Sequence, residues 1–210
     1  MFIKLNFKKI LFIHIPRTGG TSIEKNFSAD LDPTETDYKQ LLGWCDNKKI
    51  WMQHATHAQA LNTLNLKATD LFSFAFVRNP WDRCVSDYIW FSKYERARGT
   101  LKDYILEQND FTRFFKRNRN NYRADHMMPQ HKFIIDEKGK SLVDFIGRFE
   151  KLQDDYNIIC EKAGIMKRKL PHANQTQHKH YTEYYNEETK QMVAEKYAKD
   201  IEYFGYKFVL

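Results

Sequence analysis

A short loop rich in glycine and hydroxyl side chains lies near the start of the chain, directly after an apolar segment. Residues 10–15 read Ile-Leu-Phe-Ile-His-Ile, and residues 16–22 read Pro-Arg-Thr-Gly-Gly-Thr-Ser. An apolar run ended by proline and glycine is typical of a central parallel strand. Gly19 and Gly20 allow a ligand to approach closely, beside the backbone N–H groups of a helix that begins here. The segment therefore predicts a strand, an anion-binding loop and a helix.

The same loop differs from the P-loop of nucleotide triphosphatases, in which a lysine and a hydroxyl residue follow the last glycine. Here Pro16 stands near the place of the first glycine, and Arg17 precedes the glycines. The order of strand, loop and helix is that of a P-loop, whereas the side chains that serve the terminal phosphates and magnesium differ. An ordinary strand-to-helix turn is the alternative interpretation.

A second candidate anion site follows the aromatic-rich residues 71–77. Arg78 comes directly after this segment, and open α/β sheets bind ligands at the carboxyl ends of their strands. Asn79 suits a helix N-cap and Pro80 suits the first helical position, so a helix is predicted to begin here. Ser86 lies on that helix, about a quarter turn from its apolar stripe. A guanidinium and a hydroxyl group are thus expected to meet one ligand.

Together the two segments resemble the nucleotide-binding elements of sulfotransferases that use 3′-phosphoadenosine 5′-phosphosulfate (PAPS). The resemblance is to the carbohydrate group that includes heparan and chondroitin sulfotransferases, and it extends through residues 147–150, 170–174 and 197–208, which look like bacterial members. It implies an α/β, P-loop-like, three-layer fold with a central, mainly parallel sheet flanked by helices. It also implies that PAPS donates a sulfonate to a hydroxyl group of an oligo- or polysaccharide, without a metal.

In that family the first loop binds the 5′-phosphosulfate, and the second segment binds the 3′-phosphate through an arginine and a serine eight positions later. The resemblance implies that the donor is bound by Arg17, Thr18, Gly19, Gly20, Thr21, Ser22, Arg78 and Ser86. Family members usually carry lysine in place of Arg17, where the cation contacts the bridging oxygen of the donor. Arginine keeps this charge and can bind phosphate in a bidentate manner, but it does not donate a proton as lysine can.

Two histidines lie between these segments, in the sequence Gln-His-Ala-Thr-His at residues 53–57. An attacking hydroxyl group needs a general base whose pKa is near the working pH, and histidine meets this need. His54 resembles the catalytic histidine that occurs in a His-Ala context in carbohydrate sulfotransferases. His57 is the alternative base or orients His54, and a structural role for both remains open. His14, in the first strand, is expected to be a hydrogen-bonded core residue.

Two other classes of function fit part of the sequence. A P-loop kinase would also bind phosphate at the first loop, but it would need a lysine after the glycines and an acid near magnesium. A non-enzymatic basic protein that binds nucleic acid or an acidic polymer would account for the charge, but not for two anion sites. No nucleic-acid motif accompanies the charge, so sulfonate transfer is the preferred interpretation.

Several further elements are predicted from local patterns. A strand is expected over residues 143–149, a helix over 150–163 that ends at Gly164, a capped helix from Thr100, and a final helix over 187–199. Residues 26–49 are expected to form a surface excursion, and residues 174–180 a mobile cover over the nucleotide. The basic residues of 113–123 form either a solvated face or a rim that binds an acidic acceptor or nucleic acid.

Composition favours a single enzyme domain over residues 1–210. Hydrophobic residues make up 42% of the 210 residues, enough for a full core, and the net charge of +7 favours anionic ligands. Cys45, Cys84 and Cys160 are far apart and form no pair typical of a disulfide framework or a zinc knuckle. With no stretch near the roughly 20 apolar residues that span a bilayer, the protein is expected to be cytoplasmic. Its oligomeric state is left open.

Overall fold

The computed structural model of the protein describes residues 1–5, 8–27, 37–115, 123–171 and 179–209. Its strands are β1 (Phe2–Leu5), β2 (Lys8–Ile13), β3 (Trp44–Cys45), β4 (Ile50–Trp51), β5 (Phe72–Val77) and β6 (Phe145–Arg148). Its α-helices are α1 (Gly20–Phe27), α2 (His57–Leu64), α3 (Pro80–Tyr94), α4 (Leu101–Ile105), α5 (Ala124–Met127), α6 (His131–Ile134), α7 (Leu152–Ala163), α8 (Glu187–Lys196) and α9 (Ala198–Phe204).

Two compact units divide the chain. The first, which we call the sheet unit, comprises Met1–Val77 and Lys132–Asn174. The second, the helical unit, comprises Arg78–His131 and Gln175–Leu210. All of the strands named above belong to the sheet unit. A single functional domain over residues 1–210 stays a prediction.

The sheet unit is built on a four-stranded sheet in the order β1-β2-β5-β6. β2 runs parallel to β5, with Phe12 opposite Phe74, and β5 runs parallel to β6, with Phe76 opposite Gly147. β1 adds an antiparallel edge next to β2. The two strands predicted to lead into the anion sites are therefore neighbours, and the sheet is mainly parallel, as expected.

One face of this sheet packs against helices through large apolar side chains. Phe12, Phe74 and Phe76 are fully buried there, together with Ile23 of α1 and Ile159 of α7. Because these side chains alternate along their strands, each strand contributes every second residue to this face. The α/β class, with a mainly parallel sheet flanked by helices, is confirmed.

The helical unit has its own aromatic core. Phe91 of α3 packs against Tyr104 of α4, and Phe111 and Tyr197 belong to the same buried cluster. α4 begins after Thr100, whose hydroxyl group accepts a hydrogen bond from the backbone N–H of the third helical residue, as the sequence predicted. This core holds α3, the helix that follows the second candidate site.

The predicted final helix over residues 187–199 is wrong in its extent. α8 ends at Lys196, Tyr197 leaves the helical conformation at φ −116° and ψ 26°, and α9 follows. The reason is tertiary: the Tyr197 ring is buried, and its hydroxyl group donates a hydrogen bond to the Met127 carbonyl at 3.1 Å. Gly205, in the left-handed conformation, ends α9.

The other predicted elements occur with shifted ends. The strand over 143–149 is the shorter β6, and the helix over 150–163 is a 3-10 turn (Phe149–Lys151) followed by α7, which ends at Gly164 as predicted. Residues 28–36, 116–122 and 172–178 lie outside the described residues. They include much of the segments expected to be a basic cluster and a nucleotide cover, whose roles stay predictions. The surface excursion expected over residues 26–49 is wrong in part, because Leu41, Leu42 and the two residues of β3 are buried.

Two findings bear on the environment of the protein. None of the helices in the described part of the chain is long and apolar enough to cross a membrane. The three cysteines are all buried and form no disulfide, and burial raises the pKa of the Cys84 thiol to about 12.

Candidate active site

The loop between β2 and α1 adopts a strained backbone. Arg17 has φ 67° and Gly19 has φ 87°, both in the left-handed region. For Gly19 this conformation carries no steric cost, whereas for Arg17 it costs on the order of 1–3 kcal/mol. Within the loop, the buried Thr18 hydroxyl group donates a hydrogen bond to the Ile15 carbonyl at 2.8 Å. Such strain is typical of sites where function requires a particular backbone shape.

Both glycines of the loop are packed against neighbouring side chains. A Cβ atom added to Gly19 would lie 3.0 Å from Leu152 Cδ2 of α7. A Cβ atom added to Gly20 would lie 2.1 Å from Cδ2 and from Nε2 of the His14 ring. The backbone at the start of α1 therefore lies directly against the His14 imidazole, and a larger residue does not fit there.

His14 connects the loop, helix α1 and His54. Its Nδ1 atom lies 2.8 Å from Glu24 Oε1 of α1, and its ring centroid lies 5.0 Å from that of His54 in an edge-on arrangement. Burial would raise the pKa of the Glu24 carboxyl group, but the charge and hydrogen bond of His14 hold this pKa below its usual value. The expectation that His14 is a hydrogen-bonded core residue is confirmed, and its contacts place it beside the candidate base.

His54 lies at the end of the 3-10 turn Met52–His54 and is half-buried. Ala55 follows it in an extended conformation, and Thr56 then caps α2: the Thr56 hydroxyl group accepts from Gln59 N–H, and the Gln59 side chain accepts from Thr56 N–H. Because Thr56 provides the cap, neither histidine of the pair is needed for capping.

His57 is the first residue of α2 and is 3% exposed. Its Nε2 atom and the Oε1 atom of Gln53 are buried without a hydrogen-bond partner among the described residues. Burial lowers the pKa of His57, and the nearby charge of Asp144 opposes this shift only in part. The lowered pKa favours a neutral His57 near neutral pH, and its Nε2 atom is suited to bind a polar group from outside the described residues.

The second candidate site begins where the chain enters the helical unit. The Asn79 side chain accepts hydrogen bonds from the N–H groups of Trp81 (3.0 Å) and Asp82 (3.5 Å), and Pro80 is the first helical residue of α3. Asn79 also donates from Nδ2 to the Lys207 carbonyl at 2.9 Å. The predicted start of this helix is confirmed, and a contact far along the chain reinforces it.

Arg78 is held at its side chain and at its backbone. Its Nε–H donates to Asp82 Oδ2 at 2.8 Å, and its backbone N–H donates to Gln130 Oε1 at 2.9 Å. The arginine is 7% exposed, and Ser86, further along α3, is 1% exposed. Both predicted 3′-phosphate residues therefore lie in the helical unit and are largely buried.

The structure thus groups the predicted residues into two sets. The sheet unit contains the loop, with Arg17, Thr18, Gly19, Gly20, Thr21 and Ser22, and also His54 and His57. Within it, His14 brings the loop and His54 together, whereas no comparable contact links His57 to the loop among those described. The helical unit contains Arg78 and Ser86.

Sequence reasoning missed two partners in these sets. Glu24 binds His14 from ten positions away, and Gln130 binds Arg78 from 52 positions away. A glutamate on the first helix could have been suggested by its sequence proximity to His14. Nothing local marks Gln130, because its role depends entirely on the tertiary fold.

Comparison with known proteins identifies the family of the chain. A model of the sulfotransferase family matches residues 2–207 of the chain. The crystal structure of a sulfotransferase from Alicyclobacillus acidocaldarius superimposes with a TM-score of 0.53, at 13% sequence identity, over 97% of this chain and 98% of that one. An uncharacterized protein of Archaeoglobus fulgidus is 29% identical over 93 residues, which are 44% of this chain and 67% of that protein. By the match over nearly its full length, the chain belongs to the sulfotransferase family.

Proposed function

We propose that the protein transfers a sulfonate group from PAPS to a hydroxyl group of an acceptor, which by resemblance is an oligo- or polysaccharide. The observation that carries this proposal is the contact of one imidazole, that of His14, with both the glycine loop and His54. The candidate site for an anionic donor group and the candidate base thereby contact the same side chain in the sheet unit. Family membership supports sulfonate transfer as the reaction.

The loop residues suit the phosphosulfate end of such a donor. Gly19 and Gly20 let the loop pack closely on Leu152 and His14, and the first N–H groups of α1, which can bind an anion, follow directly. Arg17 adds a positive charge that stabilises negative charge on the sulfonate and bridging oxygens. We assign the 3′-phosphate of the donor to Arg78 and Ser86, on the resemblance to the family.

In the proposed reaction, His54 accepts the proton of the acceptor hydroxyl group. The acceptor oxygen forms a bond to sulfur as the bond between sulfur and the bridging oxygen breaks, and the products are a sulfate ester and adenosine 3′,5′-bisphosphate (PAP). Arg17 and the loop N–H groups stabilise the charge that develops on the leaving oxygen. Positioning and electrostatics supply most of the rate enhancement, and no step requires a metal.

His57 has a supporting part in this proposal. Its lowered pKa keeps it neutral, and its buried Nε2 atom is suited to a hydrogen bond with the acceptor or with a bound water molecule. It is also the alternative base. Comparing His54→Ala with His57→Ala decides between them, because only removal of the base abolishes turnover while donor binding persists.

We further propose a cytoplasmic location and a single functional domain over residues 1–210. Three buried cysteines without a disulfide fit a reducing compartment. The family match over residues 2–207, which includes both units, supports one functional domain.

Titration calorimetry with PAP, in the presence of a chelator, tests the donor. We expect micromolar or tighter metal-free binding of PAP and weaker binding of ATP with magnesium. Preference for ATP with magnesium would favour the kinase alternative, and binding of RNA or polyanions without PAP would favour the basic binding protein. Transfer of labelled sulfonate to a panel of glycans then tests the acceptor, with His54→Ala expected to bind PAP normally and to lack turnover.

A further inference from the structure

The backbone of Arg78 is held by a glutamine side chain that is fully buried. Gln130 accepts a hydrogen bond from Arg78 N–H at 2.9 Å and donates one from Nε2 to the Arg78 carbonyl at 2.8 Å. Gln130 is 0% exposed. A side-chain amide that bonds both polar groups of one residue fixes the position of that residue, much as a neighbouring strand would.

Gln130 is in turn held by a buried carboxylate on α9. Asp200 accepts from Gln130 N–H at 2.7 Å and from His131 N–H at 2.9 Å, and His131 Nδ1 lies 2.6 Å from Asp200 Oδ1. Because a carboxylate only accepts hydrogen bonds, His131 carries its proton on Nδ1. Asp200 is 0% exposed, and these three contacts compensate the cost of its burial. Asp200, Gln130 and Arg78 thus form a continuous chain of hydrogen bonds.

The side chain of Arg78 is oriented separately. Asp82 accepts from Nε at 2.8 Å, and Asp82 lies one turn into α3, whose start is fixed by Asn79. A planar guanidinium that is bonded at Nε has its plane set, which determines where its remaining donors point. The backbone contacts to Gln130 and the side-chain contact to Asp82 therefore restrict Arg78 independently.

We propose that Gln130 and Asp200 are positioning residues for the contact between Arg78 and the 3′-phosphate of the donor. This inference rests on the proposed function, in which Arg78 binds that phosphate. A shift of the Arg78 backbone by a fraction of an ångström would lengthen charge-assisted hydrogen bonds to phosphate, which depend steeply on distance and angle. Gln130 and Asp200 would thereby set how strongly the protein prefers nucleotides that carry a 3′-phosphate.

The preference can be measured as the ratio of the dissociation constants of 5′-AMP and PAP, two ligands that differ only in the 3′-phosphate. We expect a large ratio in the wild-type protein and a ratio near one in Arg78→Ala. In Gln130→Met, which keeps the side-chain length but removes both hydrogen bonds, we expect the ratio to fall at least fivefold. Affinity for 5′-AMP should change by less than twofold.

A purely structural role for Gln130 predicts a different result. If Gln130→Met weakens PAP and 5′-AMP equally, or changes neither, the inference is overturned. Should Gln130→Met fail to fold, Gln130→Glu and Asp200→Asn decide instead, because each replaces the side chain with one of nearly the same shape and alters only part of the hydrogen bonding. Both should reduce the ratio, and an unchanged ratio in both would overturn the inference.

A matched control is Thr189→Val in the same unit. Thr189 is buried and hydrogen-bonded to Asn186, and no contact to Arg78 or Gln130 is described for it. It should lower the unfolding temperature and leave the ratio unchanged. A ratio near one in the wild-type protein would refute the assignment of the 3′-phosphate to Arg78, and with it this inference. A large wild-type ratio that Gln130→Met leaves unchanged would refute only the role of Gln130.

Discussion

The two candidate anion sites both follow a parallel strand and precede a helix, but different interactions shape them. The loop before α1 depends on backbone conformation, with Gly19 at φ 87° and Gly20 against the His14 ring. The start of α3 depends on side-chain hydrogen bonds, from Asn79 to the first turn and from Gln130 and Asp82 to Arg78. The shape of the first site thus requires glycines, which have no side chain, whereas the shape of the second requires hydrogen bonds from particular side chains.

This difference predicts how each site fails. A side chain placed on Gly19 or Gly20 would clash, because neighbouring side chains already fill the space beside these glycines. A substitution in the second site leaves buried hydrogen-bond donors or acceptors without partners. This weakens ligand binding but does not obstruct the site. Substitutions of the loop glycines should therefore have abrupt effects on binding, and substitutions around Arg78 graded effects.

Gly20→Ala should have the largest effect. Its Cβ atom would lie 2.1 Å from the His14 ring, so that either the loop or the imidazole must move. We expect a loss of PAP affinity of more than a hundredfold, a comparable loss of turnover, and a decrease in unfolding free energy of about 1–3 kcal/mol. Calorimetry, a sulfonate-transfer assay and urea unfolding measure the three quantities.

Gly139→Ala is the control for this change. Gly139 lies in the sheet unit at φ 81°, where an added Cβ atom meets nothing within 4 Å. It should cost about 1 kcal/mol of left-handed strain and leave PAP affinity unchanged. Normal PAP binding by Gly20→Ala would show that the packing of the loop on His14 is not needed for the site.

Arg78→Lys should have an intermediate effect. Lysine keeps the positive charge but lacks the planar group that Asp82 orients, so part of a charge-assisted contact is lost. We expect PAP affinity to fall about tenfold, equivalent to about 1.4 kcal/mol. The exposed Arg98→Lys in the same unit should bind PAP as the wild type does. An equal loss of PAP affinity in both variants would show that the guanidinium oriented by Asp82 has no special part in binding.

Asn79→Ala should have a smaller effect on binding. Loss of the helix cap costs about 1 kcal/mol of stability, and PAP affinity should fall a few-fold because α3 frays next to Arg78. Asn186 caps α8 through the same kind of contact, with Thr189 N–H at 2.8 Å. Asn186→Ala should lose similar stability without a change in PAP affinity. If both variants bind PAP equally well, the start of α3 does not shape the site.

His57→Gln should have the smallest effect, visible in the pH dependence of stability. Burial lowers the pKa of His57 from its usual 6.5, so below that pH the unfolded chain binds a proton that the folded protein excludes. This contribution to the unfolding free energy is present above pH 6.5 and is lost as the pH falls. We expect a flatter dependence between pH 5 and 7 in His57→Gln than in the wild type, by chemical unfolding. An unchanged slope in His57→Gln would contradict a buried, neutral imidazole.

Local sequence signals predicted the elements that carry the site. The strand before the loop, the start of α3 at Asn79 and Pro80, and the end of α7 at Gly164 all follow from patterns within a few residues. Such signals act through the backbone of the same segment, by fixed φ angles, caps and strand burial. They are therefore readable before any tertiary contact is known.

What the sequence could not predict depends on contacts between distant segments. Tyr197 ends α8 although it is not a helix breaker, because its hydroxyl group is bound by Met127. Gln130 has no feature that distinguishes it from a surface glutamine until the fold places it against Arg78. Ser86 could be placed on its helix from the sequence, but its nearly complete burial could not.

The packing of Gly20 on His14 couples these two positions in any redesign of the protein. The His14 ring contacts both the glycine loop and His54, so a change to this ring alters the surroundings of both. A library that varies position 14 or position 20 alone would sample mostly inactive proteins. To change the ligand preference, both positions would have to be varied together, or both kept while residues around Arg78 are varied.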